Sequence, residues 1–132
     1  MTRTIALAVF VAAQLPGAAV SCGSPAVTAV RVHSVTPTRY LNYYHVTATV
    51  TNRGDETQAA NVLQFVDVNQ YGNRLDDRGI PPLAPGQSYT VSYTWKRAVD
   101  AGKWTTPLDF SIRPVAPLSG NDCVAAGSSI TF

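Results

Sequence analysis

Apolar and polar residues alternate with period two through most of this chain, and little of it carries a helical period. The clearest stretch sets Tyr44, Val46, Ala48 and Val50 against His45, Thr47, Thr49 and Thr51, a strand with one apolar face. Asn52-Arg53-Gly54-Asp55 ends it as a turn. An earlier strand sets Thr28, Val30 and Val32 against Ala29, Arg31 and His33, and Thr36-Pro37-Thr38 closes it. Asn61 to Asn69 reads as a third strand whose poor alternation does not show which face is buried. Gln70-Tyr71-Gly72-Asn73 is a hairpin turn, with Gly72 where positive φ is needed. Arg74 to Ile80 forms a fourth strand. Tyr89, Val91, Tyr93 and Trp95 form the inner face of a fifth, Leu108, Phe110 and Ile112 that of a sixth, and Ile130 and Phe132 that of a seventh. The one candidate helical piece is Lys96 to Ala101, closed by Gly102. Seven short strands about ten residues apart, with turn signals between them, predict an all-β fold, an antiparallel Greek-key β-sandwich of about seven strands.

The first residues follow another pattern. One positive charge at Arg3 precedes an apolar run from Ile5 to Leu15, then Pro16-Gly17 and the small residues Ala18-Ala19-Val20-Ser21. That order is a secretory signal peptide. The run is too short for the roughly 20 residues a membrane span needs. Residues 1–21 are therefore expected to be removed, leaving one domain over 22–132 that is secreted, extracellular or periplasmic. Without Arg3, nine basic residues face eight acidic ones. That balance implies neither nucleic acid nor an anionic membrane surface as a partner.

The two cysteines, Cys22 and Cys123, read as a disulfide in an exported chain, tying the start of the domain to its last hairpin. A rival reading takes Ala19-Val20-Ser21-Cys22 as a lipoprotein cleavage box, although its first position is usually leucine. Cys22 would then be lipidated and anchored at a membrane, with Cys123 unpaired.

Two segments together carry a family resemblance. Val46-Thr47-Ala48-Thr49-Val50-Thr51-Asn52-Arg53-Gly54 is a strand running into a V-T-N-x-G turn. Leu83-Ala84-Pro85-Gly86-Gln87-Ser88 opens the aromatic strand that ends at Trp95. In this order they resemble CARDB domains, immunoglobulin-like modules of bacterial and archaeal surface proteins. Asp67 to Asn73 also resembles the D-x-x-G-N turn of FxLYD-type domains. The likeness runs from about Val27 to Phe132 and departs at Ser119-Gly120-Asn121-Asp122-Cys123. It implies an accessory role in adhesion, spacing or binding, and no catalysis.

Site chemistry in the sequence is sparse. His33 and His45 fall on the polar phase of neighbouring strands and would lie opposite each other, but a metal site needs a third ligand that no spacing supplies. Asp67, Asn69 and Gly72 begin like a calcium loop, yet Arg78 stands where a bidentate glutamate belongs. Asp76-Asp77 suits a solvated edge strand. No G-x-S-x-G elbow is present, and seven aspartates and one glutamate fall mostly in turns, so no catalytic residue, cofactor or metal is assigned. Arg39 to Tyr44 packs three tyrosines around one loop, and Trp104 stands in another beside Gly102 and Lys103. Tyr40, Tyr43, Tyr71 and Trp104 are the candidate binding residues, for a protein or a cell-surface polymer. The leading expectation is a non-catalytic interaction or adhesion module. The alternatives are a carbohydrate-binding module with those aromatics in one exposed plane, or a structural subunit that assembles through the last strand, Ser128 to Phe132.

Overall fold

The structure is a computed structural model that describes residues 22–60, 63–101, 105–115 and 127–132. Seven strands follow one another: β1 (Pro25–Pro37), β2 (Leu41–Asn52), β3 (Leu63–Gln70), β4 (Asn73–Ile80), β5 (Ser88–Ala98), β6 (Pro107–Val115) and β7 (Ser128–Thr131). They form two antiparallel sheets, one ordered β1-β2-β5 and the other β4-β3-β6-β7. This is an immunoglobulin-like sandwich in which the fourth strand joins β3; in the constant-type arrangement it joins the sheet of the first strand. The expected signal peptide lies outside the described residues.

The period-two pattern places the core. Val46, Ala48 and Val50 of β2 and Val91 and Tyr93 of β5 point inward from one sheet, and Val66, Val68, Leu108 and Phe110 meet them from the other. Tyr93 and Phe110 cross edge-to-face with centroids 5.5 Å apart, and Tyr44 meets Phe132 likewise at 4.9 Å. The Tyr93 hydroxyl donates to the carbonyl of Val66 at 2.6 Å, so one core side chain links the two sheets through a hydrogen bond.

Several expectations need correction. Lys96 to Ala98 continues β5 as strand, Val99 and Asp100 form a turn, and only Ala101 takes 3₁₀-helical conformation, so the candidate helical piece over Lys96 to Ala101 does not form as one helix. β2 begins before Tyr44, at Leu41, so Tyr43 belongs to the strand and not to the loop, leaving Arg39 and Tyr40 in the turn. His45 stands opposite Ser34, because a register shift between Val32 and Ser34 puts His33 on a bulge. In β3 the inward residues are Gln64, Val66 and Val68, and the buried Asp67 points the other way. Asp67 is covered there by Arg113, which donates to it from Nε at 2.7 Å and from Nη2 at 3.1 Å and whose guanidinium lies over the Phe65 ring. A charged residue buried on the outer face hides the period of that strand.

Candidate functional site

Antiparallel order gives the sandwich two distinct ends. One gathers the start of the described chain, residues 53–60 and residues 81–87. The V-T-N-x-G and L-x-P-G segments meet here. Asn52 is fully buried and uses every polar atom of its side chain: Nδ2 donates to the carbonyls of Glu56 and Leu83 at 2.8 and 2.9 Å, and Oδ1 accepts from the amides of Ser24 and Gly54 at 2.9 and 2.8 Å. The Gly86 amide, in a turn whose positive φ of 77° suits glycine, donates to the Asn52 carbonyl at 2.8 Å. Gly54 is required by crowding: a Cβ there would overlap the backbone carbonyl of Cys22. Cys22 is 8% exposed, and its amide donates to Asp55 Oδ1 at 3.1 Å. Cys123 lies outside the described residues. This end is therefore committed to holding the chain together.

The other end carries the β1–β2 turn at residues 38–40, the β3–β4 turn at 71–72 and the exit from β5 at 99–101. Tyr40 is 69% exposed and Tyr71 74%. Five of the eight large apolar side chains exposed among the described residues, Val35, Tyr40, Tyr71, Leu75 and Val99, stand in or near this end. Its turns are fixed. The Val99 amide donates to the Tyr40 carbonyl at 3.0 Å, and the Leu41 amide donates to Thr38 Oγ1 at 3.1 Å. Tyr71 and Gly72 both have positive φ, 49° and 82°, as a two-residue hairpin requires. Arg39 lies over the Tyr40 ring at 5.2 Å, and Lys96 over that of Tyr43 at 5.9 Å. Tyr43 itself faces outward from β2, near the tip but on the flank of the β1-β2-β5 sheet. Of the four candidate aromatics, Tyr40 and Tyr71 share the tip, and Trp104 lies outside the described residues.

Two recesses interrupt the flanks. Between the edges of β4 and β5 an apolar cavity of about 280 Å³ reaches Val68, Leu75, Tyr93, Trp95 and Phe110. The buried Trp95 Nε1 has no hydrogen-bond partner among the described residues. On the outer face of the β1-β2-β5 sheet a shallower cleft of about 350 Å³ holds His33, Ser34, His45, Thr47, Ser92 and Thr94, reaches Val46 and Tyr93, and has Arg78 at its rim. Arg78 comes from the other sheet, and no strand period could have placed it there. Its Nε donates to the Ser92 carbonyl at 3.1 Å, its guanidinium lies over the Tyr93 ring, and Nη1 pairs with Asp76 at 2.8 Å. Burial works against the charged Asp76 carboxyl, but hydrogen bonds from Arg78 and the Asp77 amide outweigh it and lower its pKa. Burial raises the pKa of the Tyr93 hydroxyl well above the usual tyrosine value. Among the described residues no three His, Cys, Asp or Glu side chains group as metal ligands. The segment that begins like a calcium loop is occupied by contacts within the protein. Asn69 Nδ2 donates to Ser111 Oγ at 3.0 Å, and the Asp67 carboxylate is taken by Arg113.

The CARDB family model matches residues 26–112, about two-thirds of the chain, from the start of β1 well into β6. The chain belongs to the CARDB family. Both motif segments fall inside the match, and β7 falls beyond it. No curated protein matches the chain closely enough to lend it a function.

Proposed function

We propose that this CARDB chain is an exported, non-catalytic contact module that engages a protein or a cell-surface polymer through the end bearing Tyr40 and Tyr71. The observation that carries this reading is the gathering of exposed aromatic and aliphatic side chains on, and on strand ends beside, turns already held by hydrogen bonds. Such a surface buries area on contact without first ordering a loop. Arg39 beside Tyr40 adds a donor for polar or acidic groups of the partner. Among the described residues the cysteine end, where the Asn52 side chain is wholly committed to backbone partners, exposes fewer large apolar side chains, Leu63 and Tyr89.

Export is part of the proposal. Cleavage after Ser21 would turn the Cys22 amide into an ammonium group already within hydrogen-bond distance of Asp55. A buried Cys22 side chain suits a disulfide to Cys123 better than a lipid anchor, whose sulfur must reach the surface. The test is cosedimentation of the protein with envelope fractions of its producing cells. The Tyr40→Ala/Tyr71→Ala variant should bind at least about tenfold more weakly, as expected for two central aromatic contacts. Unchanged binding by the variant would place the contact surface elsewhere.

A further inference from the structure

We propose that the cleft of His33, His45 and Arg78 is a binding site for a tetrahedral oxyanion, phosphate or sulfate, whose occupancy rises as the two imidazoles become protonated. The cleft sets two imidazoles, four hydroxyl side chains and a guanidinium around a surface that also includes Val46 and Tyr93. His33 stands on the bulge of β1 and His45 opposite Ser34 on β2, so two neighbouring strands bring both rings to one recess. Ser34, Thr47, Ser92 and Thr94 surround them with hydroxyls. Thr36 Oγ1 lies 3.0 Å from His45 Nε2, fixing that ring. At about 350 Å³ the space takes an oxyanion with part of whatever carries it.

The charges around the cleft set the sign of its pH response. From β1 come His33 and Arg31, the latter opposite Thr47 in register. From β2 comes His45. From β4 comes Arg78, paired with Asp76, while Asp77 beside it pairs with Arg113 at 3.3 Å. From β5, Lys96 lies one outward position beyond Thr94, and Tyr93 keeps its hydroxyl on the Val66 carbonyl in the core. Among the described residues lining the cleft there is no carboxylate, and Asp76 already neutralises one arginine at its rim. Arg31 and Lys96 already leave the surroundings of the cleft cationic, and protonating both imidazoles in the mildly acidic range adds two further positive charges.

The test titrates the purified protein with sodium sulfate and follows the His33 and His45 ring resonances by NMR. Sulfate stays a dianion across the range used, so any pH effect belongs to the protein. Both rings should shift, and sulfate should bind at least about tenfold more tightly near pH ~5.5 than near pH ~8, since two added charges at contact distance from a dianion in water exceed that gain before screening by salt. Arg78→Gln should weaken binding at both pH values. His33→Asn, at an exposed bulge that tolerates substitution, should remove part of the pH dependence. A polymer bearing phosphodiesters serves as the second arm: tighter binding per phosphate than the free ion assigns the site to chain-borne phosphate, and equal binding assigns it to the ion. Ring signals that do not move, or move equally with chloride at matched ionic strength, would overturn the proposal. Tyr40→Ala/Tyr71→Ala should leave the sulfate titration unchanged, so failure of the tip as a contact surface and failure of the cleft are separate results.

Discussion

At the scale of single residues, Asn52 matters most. A turn-forming role was legible from the sequence, but the structure gives it more: one amide serves four backbone groups from three segments. Asn52→Ala leaves those groups buried and unpaired, and we expect a loss of about 2–4 kcal/mol in urea unfolding. Asn52→Asp should be worse, because an oxygen would then face the Glu56 and Leu83 carbonyls. Tyr93 makes a prediction in pH. Its hydroxyl has a raised pKa in the fold, so the stability it contributes is present below the ordinary tyrosine value of about 10 and drains away as pH rises above it. The urea midpoint of the protein should fall more steeply above pH ~10 than that of Tyr93→Phe. Equal slopes would mean that the hydroxyl is not held neutral by the core.

At the scale of elements, legibility followed the simplicity of each strand's surroundings. β2 and β5 carry an apolar inner face and hydroxyls on the outer one, so their period showed plainly. The hydroxyls pair across strands, as Thr49 with Thr90 at 3.0 Å and Thr51 with Ser88 at 2.7 Å. β3 was opaque because Asp67 is buried on its outer face by Arg113, an arginine far along the chain. β1 hid its bulges, since a register shift leaves no mark on composition. The tyrosines of 40–44 misled by clustering in sequence, while the register splits them among turn, outer face and core. β4, read as a solvated edge from Asp76 and Asp77, is indeed an edge strand. Replacing both with valine should remove the charges that discourage edge pairing, and light scattering should show concentration-dependent association. A variant that stays monomeric would show that Arg74 and Arg78 guard that edge alone.

At the scale of the molecule, the two ends divide the work. The cysteine end locks both family motifs onto the start of the domain, and in the proposed function the tip makes the contacts. The candidate aromatics could be named from sequence, but their partition between ends could not, because it depends on which turns the sandwich brings together. The cleft was half legible: the two histidines shared a phase, but Arg78 arrives from the opposite sheet. If Cys22 and Cys123 form the disulfide we propose, reduction should lower stability by up to about 4–5 kcal/mol, the entropy of a loop of roughly 100 residues. Intact mass should rise by two hydrogen atoms on reduction, with the chain beginning at Cys22; an acylated mass would identify a membrane anchor instead.

The central claim is that the chain works by contact through its tip. The most direct test is amide-resolved NMR of the protein with a solubilised envelope fraction from its producing cells. Signal loss should concentrate at residues 38–41, 71–73 and 99–101, with residues 53–58 and 81–87 unaffected. Loss centred on the cysteine end, or on no surface at all, would contradict that claim.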